Sequence, residues 1–431
     1  MRCSCLRASP WRCGQFLLVG LLSAGPAIAG PGQPDSVPAS ASPTDFVRVT
    51  WPEIVRVVDR HPRLAASRFQ IDATRGAVDA AGAVPNPTLE ATVGQGWARV
   101  GPGSRFEWSL GLVIPLGWIA QRGSKVAAAE AEVDFAEAES RALRRDVLLE
   151  LRTLFWNLAN EQARVASLEQ LEVQTSALAQ TVNKRVEKGE IRPIDATRVE
   201  IELQKVQSEL EGARSSLVAR QSQLALWLGV PKGKAIMAVA DGSALPAVMD
   251  LNDAFSRART THPALAAARA RSQSLAAEVD SEKMARVPNF SLTAFTGYEF
   301  DRRTVGVGLA VDLPLWNWNS GRIAQAQAKL AAGRKRAEAM ALDLETTVIE
   351  AQAACRASVA TATRLKHNVV PRSETAASTM ERTYQLGEAS LLEVIDARRT
   401  LLDVRRLYLS ALAQAQIDCN RLGALVGEAL P

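Results

Sequence analysis

The stretch GVGLAVDLPLWNWNSGR, residues 306–322, changes character halfway along. Its first half alternates: Val307, Leu309, Val311 and Leu313 fall on one side, and Gly306, Gly308, Ala310 and Asp312 on the other. A period of two marks a strand with one apolar face. A proline, two tryptophans and a Ser-Gly turn follow, and then an alanine-rich helix begins. The same transition occurs in FEWSLGLVIPLGWIAQRG at 106–123. A chain that makes one strand-to-helix joint twice reads as two copies of one plan.

Other markers recur at nearly the same spacing. RHPRLAASR at 60–68 matches THPALAAAR at 261–269, and VPNPTLEAT at 84–92 matches VPNFSLTAF at 287–295. KGEIRPIDATRVEIEL at 188–203 matches LGEASLLEVIDARRTLL at 386–402, and LALWLGV at 224–230 more loosely matches CNRLGALVG at 419–427. The first copy spans 51–228 and the second 251–428, with a linker at 229–250.

Each copy reads as a short helix, two strands, a very long helix, a tight turn and a medium helix. The first copy gives a helix at 62–82, strands at 88–98 and 104–114, a long helix at 122–187 and a medium helix at 193–228. The second gives a helix at 263–286, strands at 290–300 and 304–313, a long helix at 321–385 and a medium helix at 390–425. The first long helix carries a heptad-like seam: Leu143, Val147, Leu151, Leu154 and Leu158, then Val165, Leu168, Leu171, Thr175, Leu178 and Val182. The second has a small-residue seam of Ala326, Leu330, Gly333, Ala337, Met340, Leu344 and Ala351. Pro371 falls inside it and should kink it. A long helix of roughly 65 residues reaches about 95–100 Å. The short and medium helices, stacked end to end, match that length, so each copy is expected to be a tall helical hairpin with strands at one end.

The amino terminus reads as an export signal, residues 1–29. Arg2, Arg7 and Arg12 precede the apolar run FLLVGLLSAG, and Ala27-Ile28-Ala29 fits a small-x-small cleavage site. An amino-terminal anchor helix is the other reading, but the run is shorter than the ~20 residues of a membrane span. Cys3, Cys5 and Cys13 would leave with the leader, and no cysteine follows the cut to take a lipid. Cys355 and Cys419 remain, and their spacing does not say whether they are bonded. Residues 30–50 are expected to be flexible, their Pro/Ser/Ala-rich part offering little to a core. Removing Arg2, Arg7 and Arg12 takes away three of the +5 formal charges, and no polybasic stripe remains for nucleic acid.

Four alternating strands of about ten residues match the length of a tilted membrane strand. Phe106, Trp108, Leu110, Leu112 and Ile114 make one apolar face. Phe290, Leu292, Ala294, Tyr298 and Phe300 make another, with Thr296 as its polar exception. Trp97, Trp108, Trp118, Trp316 and Trp318 lie in or beside the strands, where interfacial aromatics belong. A soluble sheet with one buried face would alternate in the same way. The export signal, the aromatic rim and the lack of another core to cover favour the membrane. Four strands cannot close a barrel, and open edges are not tolerated in lipid. The chain must then contribute its strands to an oligomer.

With these features together, the sequence resembles the TolC family of outer-membrane efflux proteins over essentially the whole mature chain. The two strand-Pro-helix joints and the two tips, KGEIRPIDATR and LGEASLLEVIDARRTLL, carry the resemblance most specifically. The fold it implies is mostly α with a membrane β-barrel: a homotrimer in which long antiparallel hairpins form a periplasmic α-barrel and four strands per chain complete a twelve-stranded β-barrel. The resemblance also implies docking to a periplasmic adaptor (a membrane fusion protein) and an inner-membrane pump of RND type, in the outer membrane of a Gram-negative bacterium. Within the family, LPLWNWNSGRIAQAQAKLAA and the second tip are most similar to the outer-membrane components of heavy-metal and cation resistance pumps. Ducts for drug efflux or type I protein secretion share the architecture.

The tip turns hold Gly189-Glu190 and Gly387-Glu388, where the adaptor would dock. The glycines suit the left-handed conformation that ends a helix. The resemblance places Asp195, Glu393, Asp396 and Tyr384 at the channel's constriction, and Ala389 where some relatives carry a gating arginine. Three-fold symmetry would gather the carboxylates into acidic rings that favour cations. The plainer reading is a solvated helix surface, with Asp396 paired to Arg399 one turn on.

Catalysis finds no support. His61, His262 and His367 are far apart, and no nucleophile elbow, zinc-protease motif or cysteine-histidine cluster is present. No cofactor or metal site is expected. The remaining alternative is a soluble periplasmic coiled-coil scaffold, which accounts for the helices but not for the strands and their tryptophans.

Overall fold

A computed structural model describes residues 47–97, 103–231, 234–240, 245–299 and 302–427. The expected leader at 1–29, most of the segment 30–50, and Phe300 lie outside the described residues. In chain order the elements are β1 (Val47–Val49), α1 (Trp51–Val57), α2 (Pro62–Gly82), β2 (Thr88–Trp97), β3 (Ser104–Pro115), α3 (Trp118–Glu187), α4 (Pro193–Leu228) and β4 (Ile236–Ala238). They continue as α5 (Leu251–Thr261), α6 (Pro263–Met284), β5 (Phe290–Glu299), β6 (Arg302–Val311), α7 (Ser320–Arg364), a π-helical turn (Leu365–Val369), α8 (Val370–Gln385) and α9 (Leu391–Leu425).

The repeated His-Pro pairs are helix starts. Pro62 and Pro263 sit in the first turn, where a missing N–H costs nothing. The preceding histidines cap: His61 Nδ1 accepts from the Arg63 N–H at 3.3 Å, and His262 Nδ1 from the Leu265 N–H at 3.4 Å. The helix α3 runs for 70 residues and begins four positions ahead of the expected 122. The joint is tighter than the sequence implies, because the N–H groups of Leu116 and Gly117 donate to Phe290 O at 2.7 and 3.0 Å. Trp118 is thus the first residue of a helix.

Pro371 has its expected effect in a particular form. The long second helix is interrupted just before it by the π turn, and the Val370 N–H reaches back five residues to Leu365 O. Proline removes one donor and crowds the carbonyl four residues earlier, and a wider turn accommodates both.

The helices α2 and α4 both lie along α3, and α6 and α9 both lie along α7, as the matched lengths require. The helix α6 also packs on α3 and so ties the second half of the chain to the first. The α3 seam is buried at Val147, Leu151, Leu158, Val165, Leu168, Leu171, Thr175, Leu178 and Val182, with Leu143 and Leu154 half-buried. The α7 seam is thinner: Ala326, Gly333, Leu344 and Ala351 are buried, Leu330 and Ala337 half-buried, and Met340 exposed.

Three elements were illegible locally. The strands β1 and β4 pair in parallel, Val47 with Ile236 and Val49 with Ala238. Val47–Val49, within the segment expected to be flexible, is thus a strand, and the linker contributes its partner. Three-residue strands are too short to show a period. Their partner is nearly two hundred residues away, and burial of Ile236 in the cluster with Trp51, Ile54, Leu151 and Phe155 holds the pair. The helix α5 is opened by Asp250, whose carboxylate accepts from the Asn252 N–H at 2.9 Å. Cys355 on α7 and Cys419 on α9 form a disulfide, their Cα atoms 4.7 Å apart.

Candidate functional site

The residues expected to matter for function fall at two ends of this architecture. At one, β2, β3, β5 and β6 form a four-stranded antiparallel sheet in that order. Its register merges the two expected apolar faces into one. Leu89 lies opposite Leu112, Leu112 opposite Ala294, and Ala294 opposite Val307. One step along, Ile114 faces Leu292 and Leu292 faces Leu309. This face is uncovered: Leu89, Val93, Val305 and Val307 are each about two-thirds or more exposed. The reverse face carries Thr88, Glu90, Thr92, Ser109, Thr293 and Thr304 among glycines. Phe295 is its largest apolar side chain, flanked in register by Gly111 and Gly306. Among the described residues neither β2 nor β6 has a second neighbour. An exposed apolar face with a polar reverse is the pattern of a strand between lipid and a wet lumen.

The tryptophans fall near the two ends of this sheet. Trp97 closes β2 opposite Ser104, and Trp108 lies one turn of the ladder inward, opposite Val93 and Tyr298. At the helical end Trp118 is half-buried, Trp318 exposed, and Trp316 92 % exposed. No helix among the described residues is long and apolar enough to cross a membrane.

At the other end are the two tips, closed by the same hydrogen bonds. The Gly189 N–H donates to Val186 O and the Glu190 N–H to Arg185 O, both at 2.9 Å. The Gly387 N–H donates to Tyr384 O at 3.1 Å and the Glu388 N–H to Thr383 O at 2.9 Å. Both glycines are left-handed, φ 74° and 81°. A Cβ added at either would meet nothing within 4 Å, so alanine would be penalised by its backbone alone. Gly189→Ala and Gly387→Ala are each expected to lose about 1 kcal/mol. Chemical unfolding checks this, and a loss in only one variant would show that the tips differ.

One apolar cluster joins the tips: Leu178 and Val182 of α3, Val199 of α4, and Leu391, Val394 and Ile395 of α9, with Tyr384 packed against it. The expected constriction residues take distinct positions around this cluster. Glu393 closes a capping box, its carboxylate accepting from the Ser390 N–H at 2.7 Å and the Ser390 hydroxyl at 3.0 Å. Those bonds, the backbone one foremost, hold its pKa below the usual carboxylate value. Asp195 is largely covered and lies between Arg192 at 3.5 Å and Arg198 at 3.6 Å. Asp396 is exposed, and it does not capture Arg399. Arg399 instead forks onto the buried Glu202 of α4, with its Nε 2.6 Å from Oε1.

The structure adds residues that the sequence did not single out. The Arg185 guanidinium lies 5.5 Å from the Tyr384 ring centre. Arg398 bridges Glu381 of α8 at 2.7 Å and Gln174 O of α3 at 3.1 Å. Arg405 meets Glu374 at 2.9 Å. The ARR that follows the acidic tip segment was the available signal, since arginines one helical step behind carboxylates find partners on neighbouring helices. Among the described residues no cluster of histidine, cysteine and carboxylates is placed to hold a metal.

A ribbon of strands with a lipid-type face, rooted on long paired helices that end in capped tips, defines a membrane duct. The chain belongs to the outer membrane efflux protein family, whose model matches residues 54–230 and again residues 254–428. It is an outer-membrane efflux channel and not an enzyme. The cobalt-zinc-cadmium resistance protein CzcC of Cupriavidus metallidurans is 27% identical over 367 residues, covering 84% of this chain and 86% of that protein. Among solved structures, CusC superposes with a TM-score of 0.72 at 16% identity, covering 89% of this chain and 93% of CusC. The open state of the MtrE channel of Neisseria gonorrhoeae gives 0.71 at 16% identity, over 88% of this chain and 89% of MtrE.

Proposed function

We propose that three copies of this chain form one duct, with twelve strands in the outer membrane and the helical hairpins in a tunnel beneath. The duct receives its cargo from an inner-membrane pump through a periplasmic adaptor that docks at the Gly189-Glu190 and Gly387-Glu388 tips. The observation that carries this reading is the uncovered apolar face of a four-stranded sheet with both outer strands open. A soluble scaffold would have to bury that face, and the chain's own helices do not. The length of the ribbon and the tryptophans at its two ends support a bilayer as the missing partner.

The cargo we assign is divalent metal cations, on the similarity to CzcC along most of both chains. A deletion strain is expected to become sensitive to cobalt, zinc or cadmium salts. Unchanged metal tolerance together with new drug sensitivity would reassign the cargo. For the constriction we favour Asp396 over Glu393: both are exposed, but the Glu393 carboxylate is engaged by Ser390. Asp396→Asn is expected to lower the cation preference of single channels in planar bilayers severalfold, and Glu393→Gln to change it less. Equal effects would place both side chains in the pore.

A further inference from the structure

Away from the four-stranded sheet and the tips, the short strand β4 has an unused edge. Its other edge is held by β1: the Val47 N–H donates to Ala235 O at 2.9 Å, and the Val239 N–H to Val49 O at 3.0 Å. Successive backbone groups of a strand point to opposite sides. Ala235, Met237 and Val239 therefore face β1, and Ile236, Ala238 and Ala240 face the other way. Among the described residues no strand lies on that side. A side chain stands in for one, because the Ala238 N–H donates to Gln162 Oε1 of α3 at 3.0 Å.

The edge opens onto a cleft of about 470 Å³. Ala238 and Ala240 line one side and Tyr408 and Leu412 of α9 the other. The floor is Trp156 and Ala163 of α3, the helix on which both β4 and α9 pack. The volume is that of a ligand cleft. None of its lining residues is charged, in a chain where 23% of residues are.

We infer that this cleft binds an extended, uncharged peptide segment of a partner protein, which adds to β4 as a third strand and takes the place of Gln162. Three features select that occupant. The edge presents N–H and C=O groups at every second residue, and another backbone answers such a series. The uncharged lining disfavours acidic or basic segments, since a charge entering it would lose water and meet no counter-charge. A second copy of the chain has its openings elsewhere: α3 is flanked by α4 and α9, and α9 by α3, α7 and α8, so the flanks left open are those of α4 and α8. The plainer reading is that a three-residue strand ended by a glutamine is a blunted edge. Blunting uses lysine, proline or a cover, whereas β4 has one neutral amide in front of a largely apolar cleft.

The inference does not rest on the duct, and its test leaves that reading untouched. The probe is a short, end-capped, fluorescently labelled peptide of alternating threonine and valine, which is uncharged and favours the extended state. Its anisotropy is followed as it is titrated with the full chain in detergent. Saturable binding is expected below about 1 mM. Gln162→Ala is expected to tighten it at least threefold, because the Ala238 N–H then has no side-chain acceptor to give up. A gain of binding is not imitated by misfolding. Ala163→Trp, which fills the floor, is expected to weaken it at least tenfold. The peptide N-methylated at alternate residues loses the donors of one edge only, so of the two such peptides one is expected to bind at least tenfold more weakly than the other. No saturable binding, no tightening by Gln162→Ala, or equal affinity of the two methylated peptides overturns the inference. Self-association of the chain that the peptide competes away would give the cleft to a second copy, and overturns it too.

Discussion

Breaking the Cys355–Cys419 bond is expected to lower the unfolding free energy by about 4 kcal/mol. The bond closes a loop spanning 64 positions, from α7 through the tip to α9. In the chain-entropy picture a loop of that size removes about 4 kcal/mol of freedom from the unfolded chain. The location explains why the second copy relies on it. The core beside α3 is built from large side chains, among them Trp51, Ile54, Phe155 and Trp156. The matching core beside α7 buries smaller side chains, Ala254, Ala258, Val348, Ala351, Cys355, Val426 and three leucines, with Phe255 and Met249 half-buried against them. Counting along the matching helices from Pro115 and Pro314, Cys355 stands where the first copy has Trp156. A covalent tie thus joins helices whose shared core is built from smaller side chains. Reduction separates the cross-link from the packing, because Cys355 is fully buried and replacing it would add a cavity. The check is to compare denaturant unfolding of oxidised protein with that of protein refolded under reductant. Coincident midpoints would mean that the small-residue core suffices alone.

That contrast between the copies also shows what the sequence could and could not reveal. The long helices, the strands and the tips were readable because each carries its own period or punctuation. Val147 through Val182 step by threes and fours, Val307 through Val311 by twos, and Gly189 and Gly387 mark their turns. The strands β1 and β4 have no local signal, since Val47 finds Ile236 only once α3 has brought a common core together. The disulfide was open for a similar reason: two cysteines on two predicted helices fix no distance. The tip was legible in part. Its left-handed glycines follow from backbone sterics. The partners of its charges do not, because a helix surface offers each arginine several carboxylates. Arg399 has Asp396 within one turn of its own helix, yet forks onto Glu202 across α4. Burial decides this, since Glu202 is covered and would otherwise lose its water without compensation, whereas Asp396 stays hydrated.

Acidification from pH 7 to pH 5 is expected to destabilise the protein by about 2 kcal/mol through His262 alone. This ring is buried at the start of α6, with Nδ1 accepting from the Leu265 N–H and Nε2 against the Arg145 guanidinium. Protonation would remove the cap acceptor and set two cations side by side. Burial first, and Arg145 second, push its pKa down to about 4, against the weaker opposing pull of Asp146. The unfolded chain titrates near 6.5. Between about 6.5 and 4 the unfolded state therefore binds a proton that the folded state lacks, and stability falls as pH falls through that window. The slope is about 1.4 kcal/mol per pH unit, and above pH 7 this residue adds no dependence. His61 holds the corresponding position, but it stacks on Trp227 at 4.9 Å and is less buried, so its contribution is smaller in the same direction. His262→Asn retains an acceptor suited to a helix start and cannot titrate. Its unfolding midpoint is expected to change little between pH 7 and pH 5, while the unmodified protein loses most of the difference in that interval. If the asparagine variant declined as steeply as the parent, the acid sensitivity would lie in the carboxylate pairs, and the His-Pro start of α6 would be a cap and nothing more.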